Sequence, residues 1–105
     1  MATVKRSSVA LTTTSATEVG QAGANGGAYN IHIVNVAGTS CTVTVAVNSA
    51  SATITDAGTV MATYSVPSSG SPTVIKGLVL AADEYVNAEA SHSNVVALTL
   101  SGYDQ

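Results

Sequence analysis

Residues Leu78–Asp104 read LVLAADEYVNAEASHSNVVALTLSGYD. A strand ending in leucine, an acidic turn, a second strand, a polar turn and an alternating last strand follow one another, and that succession marks an all-β chain. Tyr85–Ala90 is expected to run out and Val95–Tyr103 to return as a β-hairpin, turning at Ser91–Asn94. In the returning strand Val96, Leu98 and Leu100 share one face, while Val95, Ala97, Thr99, Ser101 and Tyr103 share the other.

Working outward, the period stays at two almost everywhere. In Tyr29–Val36, Tyr29, Ile31, Ile33 and Asn35 alternate with Asn30, His32, Val34 and Val36. Cys41–Val47 splits more cleanly, with Cys41, Val43, Val45 and Val47 against Thr42, Thr44 and Ala46, the pattern of a half-buried antiparallel strand. Ala37–Ser40 between them has the length of a hairpin turn. A first strand is expected over Ser7–Thr14, with Val9 and Leu11 inward, and short strands over Ala16–Val19 and Ala52–Thr55. Thr59–Val66 alternates with Val60, Ala62, Tyr64 and Val66 on one face. Asp56-Ala57-Gly58 and Pro67–Pro72 are turns, since Pro fixes φ and Gly permits φ > 0. Thr73–Leu80 follows as a strand. No stretch keeps a helical period beyond one turn. The pattern predicts an antiparallel β-sandwich, jelly-roll-like or Ig-like, of seven to eight short strands. It forms a single domain, with an N-terminal arm and first strand over residues 1–15 and the sandwich over 16–105.

The totals agree with that class. At 105 residues the chain is of one-domain size. Ala, Val, Thr and Ser supply more than half of it, and Val and Thr favour strands because a branched Cβ packs well on a pleated surface. Phe and Trp are absent, so the core is expected to be Val, Ile, Leu and Ala with Tyr at its margins. Only 9% of residues are charged, far below the usual ~25%, which suggests a surface partly covered by partners. The formal net charge is −3; with Lys5, Arg6 and Lys76 the only cations besides histidine, too few phosphates could be neutralised for direct nucleic-acid binding. Cys41 is alone and cannot form an internal disulfide. The segment after Lys5 and Arg6, SSVALTTTSAT, is too polar for the apolar core of a signal peptide, and nothing approaches a membrane span. Synthesis and folding in a cytoplasm are expected.

Each candidate for chemistry has a plainer explanation. Gly20–Gly27 lacks the Lys and the following helix of a phosphate-cradling loop and reads as a flexible connection. His32 and His92 have no Cys, Asp or Glu at ligand spacing, so no metal site is expected. Asp83 and Glu84, adjacent in extended chain, point to opposite faces, and an Asp capping the turn explains them better than acid–base work. Glu89 stands further on. Tyr29, Tyr64, Tyr85 and Tyr103 could form a sugar-stacking platform, but Trp is missing and Tyr suits core margins. No Gly-x-Ser-x-Gly elbow marks an activated serine. The expectation is a non-enzymatic protein with no catalytic, cofactor or metal residues.

Two segments together resemble a class of small all-β bacteriophage virion proteins. Asn30–Val47, NIHIVNVAGTSCTVTVAV, has that class's strand, short polar turn and Thr/Val-rich strand. LAADEYVNAEA and VVALTLSGYD match its closing pattern through Leu80, Asp83, Val86, Ala88, Ser101, Gly102, Tyr103 and Asp104. The class usually carries Gly where Ala82 stands, and a Tyr-x-Val-Pro-like entry before its first long strand; here the glycine-rich loop takes that place and Ser65-Val66-Pro67 comes later. The resemblance implies a structural protein of the virion, a capsid decoration (cement) protein above all. Neck, tail or head-fibre accessory proteins are the alternative within the class, and a glycan-binding sandwich the alternative outside it. It further implies the major capsid protein or other virion proteins as partners, association into homo-oligomers with a trimer favoured, and strand edges free to extend a neighbour's sheet.

Overall fold

The computed structural model describes residues 3–54, 60–68 and 73–105. The strands are β1 (Thr3–Ala10), β2 (Thr17–Gln21), β3 (Gly27–Asn35), β4 (Cys41–Asn48), β5 (Val60–Val66), β6 (Thr73–Leu80), β7 (Tyr85–Ala90) and β8 (Val96–Asp104). They form two four-stranded antiparallel sheets, β1-β8-β3-β6 and β2-β7-β4-β5, which we call the first and second sheet. The architecture is a β-sandwich.

The two-residue period explains the core. Tyr29, Ile31 and Ile33 of β3 and Val96, Leu98 and Leu100 of β8 meet Cys41, Val43 and Val45 of β4 and Val86, Ala88 and Ala90 of β7 in one buried cluster. Each fully buried Val, Leu or Ile contributes roughly 1.5–3 kcal/mol relative to exposure. Tyr29 is a correction: it is 2% exposed and lies at full depth, not at the margin. The alternation that groups it with Ile31 and Ile33 already places it inward; what permits the depth is a partner for its hydroxyl.

The closing hairpin is a second correction. β7 and β8 exist where expected, but β7 lies in the second sheet between β2 and β4, and β8 in the first between β1 and β3. β3 and β4 are likewise split between the sheets. A short polar turn can close a hairpin, or it can step across the ~10 Å between facing sheets, and the alternation on either side is the same in both cases. Among the described strands only β4 pairs with a sequence neighbour, β5, and their connection is the longest between them. Pairing runs β1 with β8, β2 with β7, β3 with β6 and β4 with β5, the nesting of one long hairpin rolled up on itself.

Smaller differences have local causes. β1 begins at Thr3 rather than Ser7, because β8 offers partners as far as Asp104, which pairs with Thr3. Residues 12–14 lie beyond β1, although Leu11 is buried as expected. β2 covers Thr17–Gln21 in place of Ala16–Val19. Residues 52–54 are turn and loop, not strand. Thr55, Thr59, the Asp56–Gly58 turn and residues 69–72 of the Pro67–Pro72 turn lie outside the described residues.

The edges are broken. Lys76 and Gly77 of β6 stand opposite Asn30 in a bulge where Gly77 has φ +70°. The β2–β7 register shifts between Glu18 and Gly20, and the β4–β5 register between Val45 and Ala46. β1 is regular over its length but turns Lys5 inward. Bulges and inward charges are devices that blunt edge-to-edge pairing.

Candidate functional site

Three places gather polar side chains, and one face gathers exposed apolar ones. The first polar cluster closes the end of the sandwich where β8 finishes. Asp104 Oδ1 accepts from the Tyr29 hydroxyl and from the Gly23 N–H at 3.1 Å. Lys5 Nζ sits 3.7 Å from Asp104 Oδ2 and donates to the Gln21 carbonyl. Burial, and then the Asp104 carboxylate, push the Tyr29 pKa up to about 12. The Tyr29 hydrogen bond, helped by Lys5 and by the Gly23 N–H, holds the Asp104 carboxyl below its ordinary value. Each shift moves its group away from neutrality, so neither exchanges a proton readily at pH 7. The cluster is a clasp between the chain end and the glycine-rich connection. That connection is closely packed at Gly26, which has φ +75° and where a Cβ would strike the Leu80 carbonyl.

The second cluster surrounds Asn87, fully buried on the outer side of β7. Its Nδ2 donates to Asn48 Oδ1 at 3.0 Å, to the Ala50 carbonyl at 2.8 Å and to the Thr53 carbonyl at 3.0 Å. Its Oδ1 accepts from the Ala52 N–H at 2.8 Å. The start of the β4–β5 connection is thereby folded over the outer face of the second sheet, and Ser51 Oγ reaches Glu18 Oε1 at 2.5 Å. This cover buries Ala46, a position the alternation assigns to solvent. Sequence reasoning missed Asn87; an Asn within an apolar strand was the available signal.

The third is a shallow cleft of about 320 Å³ on the second sheet, lined by Thr14, Thr42, Thr44, Glu89, Ala90 and Ser91. Ser91 Oγ lies 2.9 Å from His92 Nδ1, 3.6 Å from Cys41 Sγ, and accepts from the Thr42 N–H at 3.0 Å. The cleft offers hydroxyls and one carboxylate, a lining suited to hydrogen bonding with polyols or waters.

The remaining candidates are scattered. His32 stands on the outer face of the first sheet and His92 in the β7–β8 turn. Among the described residues no group of three or more His, Cys, Asp or Glu side chains could hold a metal ion. In the acidic turn it is Glu84, not Asp83, whose carboxylate closes the loop, accepting from the Ala81 N–H at 2.7 Å. Asp83 instead adopts φ +59° and donates its N–H to the Gly23 carbonyl. The tyrosines form no platform: Tyr29 is in the core, Tyr64 packs against it, Tyr85 lies on the second sheet and Tyr103 on the outer face of the first.

That outer face carries the apolar surface. Val4 pairs with Tyr103, Tyr103 with Ala28, and Ala28 with Val79, so one row crosses all four strands of the first sheet. Val4 is 70%, Tyr103 58% and Val79 77% exposed. Ala10, Ala97 and Val34 make a second row further along the sheet. Between the two rows lie Arg6, Ser101 and Asn30, then Ser8, Thr99 and His32. Comparison with family models, with curated proteins and with solved structures finds no match to the chain.

Proposed function

We propose that the chain is a non-enzymatic structural protein of a bacteriophage virion, a capsid decoration protein that works as a homo-oligomer, a trimer in the favoured form. The observation that carries this reading is the exposed row Val4–Tyr103–Ala28–Val79 on a chain whose charged fraction is 9%. Large apolar side chains aligned across a whole sheet mark a contact surface. The nested strand order has the form of a jelly-roll, a fold that serves in viral capsids and in lectins alike, so it is compatible with the reading without selecting it. The resemblance through Asn30–Val47 and Leu80–Asp104 supplies the virion context, and the partner there is the major capsid protein or another virion protein. Blunted edges favour contact through faces over strand addition. A symmetric cluster of copies would let a weak contact per chain act with avidity on a repeating lattice.

Electron microscopy of the parent particle is the test. Density for the chain on the head is expected; its absence there sinks the decoration reading, and density at the neck, tail or fibre transfers the role to that site. The hydroxyl-lined cleft with Glu89 favours a second reading, a glycan-binding module, and a glycan array with no hits removes it.

A further inference from the structure

The charges of this chain are sorted by sheet. All three of its Lys and Arg residues lie on the first sheet, Lys5 and Arg6 on β1 and Lys76 on β6. Lys5 points inward and is neutralised by Asp104. Arg6 and Lys76 remain on the outer face, where Arg6 pairs with Ser101 and Lys76 lies in the bulge opposite Asn30. Among the described residues no carboxylate shares that face. The strands of the second sheet contain no Lys or Arg, and their outer face carries Glu18 of β2 and Glu89 of β7 beside Thr42, Thr44, Thr63 and Ser65.

We infer that the outer face of the first sheet docks on the outer face of the second sheet of another copy of this chain. Three considerations select this partner and this pairing. Face-to-face contact of two first sheets would set Arg6 and Lys76 against their own kind, and contact of two second sheets would do the same with Glu18 and Glu89; only the unlike pairing joins opposite charges. The edges are bulged or occupied by an inward charge, which leaves as open surfaces the outer face of the first sheet and the part of the second sheet's outer face around Thr42, Thr44, Thr63, Ser65 and Glu89 that the start of the β4–β5 connection does not cover. The smaller partner, the second sheet, has four strands ~4.8 Å apart and 5, 6, 8 and 7 residues long, which present at most about 400 Å² per copy, about 800 Å² per contact, the size of a weak, transient association. The Val4–Tyr103–Ala28–Val79 row supplies the apolar part of that contact. Such a contact is heterologous, so copies add head to tail and close into a ring only where each is rotated against the last. The inference rests on the reading that copies of this chain associate, and it is independent of any particle.

The test is charge exchange in the full chain, read by size-exclusion chromatography with light scattering. Wild-type protein is expected to associate at low salt and to dissociate between about 50 and about 500 mM salt. Arg6→Glu/Lys76→Glu and, separately, Glu89→Lys are each expected to weaken association by roughly tenfold or more. An equimolar mixture of the two is expected to restore it as a heterodimer, because the unaltered first sheet of the Glu89→Lys chain then meets the unaltered second sheet of the Arg6→Glu/Lys76→Glu chain. All these substitutions lie on the surface, and far-ultraviolet circular dichroism with a melting curve checks that the sandwich is intact. A monomeric wild type at high concentration, variants that associate as tightly as wild type, or a mixture that stays monomeric each overturns the inference. Head-to-tail oligomers in solution without density on a particle would overturn the virion role and leave this contact standing.

Discussion

Tyr29 and Asp104 hold each other in opposite protonation states, and that coupling has a pH signature. The Tyr29 pKa is raised from 10.0 to about 12, so its contribution is complete below pH 10.0 and is lost as the pH climbs toward about 12. The Asp104 pKa is lowered from 3.8, so its contribution is present above that value and is lost as the pH falls through the lower folded value. Tyr29→Phe is expected to cost about 1–2 kcal/mol near neutrality, since a hydrogen bond to a charged acceptor is removed. The gap between wild type and Tyr29→Phe should narrow at about pH 11, where the hydroxyl begins to ionise on unfolding; urea midpoints at the two pH values measure it. Asn87→Ala is expected to cost more, about 2–4 kcal/mol, because it strips partners from the Asn48 side chain and from the backbone of Ala50, Ala52 and Thr53 at once. Its effect in a denaturant titration should exceed that of Tyr29→Phe. Neither cost is visible in the composition. Tyr29 sits where the alternation puts it, but its acceptor lies at the far end of the chain.

Elements are shaped by their interruptions as much as by their strands. Gly26 and Gly77 both have positive φ, and they differ in surroundings. A Cβ on Gly77 would meet nothing within 4 Å, whereas on Gly26 it would strike the Leu80 carbonyl and the Ala81 backbone. Gly77→Ala is therefore expected to cost only the conformational term, about 1 kcal/mol. Gly26→Ala should cost at least twice that, since backbone must also move. Equilibrium unfolding of the two variants side by side decides the matter, and equal costs would contradict the close approach at Gly26. The sequence marks both as glycines in or beside strands and separates them in no other way. It also exposes the bulge in β6 poorly: the Lys76-Gly77 step interrupts an otherwise apolar run, but only the pairing with β3 reveals that one residue is extra.

At the scale of the whole molecule, nesting governs how the chain folds. β8 sits between β1 and β3, and β7 between β2 and β4, so both sheets are completed by the last two strands made. Among the described strands only β4 and β5 are neighbours in sequence and in a sheet. Long-range pairing must absorb loop-closure entropy before contacts compensate it, and refolding is expected on the millisecond-to-second scale typical of such topologies. Stopped-flow refolding measures it; microsecond folding would be inconsistent with this strand order. Truncation after Ser91 should abolish cooperative unfolding, because β1 would lose its sole sheet partner and β3 one of its two. The segregation of Arg6 and Lys76 from Glu18 and Glu89 belongs to this scale too. In the sequence these four residues lie far apart without evident order, and only the assignment of strands to sheets sorts them by sign.

Residues Leu78–Asp104 by themselves determined that the chain is all-β and, through Val96, Leu98 and Leu100, which face of the last strand is buried. A period of two leaves the strand no other way to hide its apolar residues. The same residues could not determine that strand's partners, because a short polar turn joins hairpin neighbours and facing sheets equally well. Pairing is chosen by the sum of long-range contacts, which here favours the rolled order over the local hairpin. The tertiary structure also decided that Tyr103, the aromatic residue near the end of that stretch, lies in line with Val4, Ala28 and Val79 across an open face. A row that crosses strands is built from residues distant in sequence, and it exists only once the register between those strands is set.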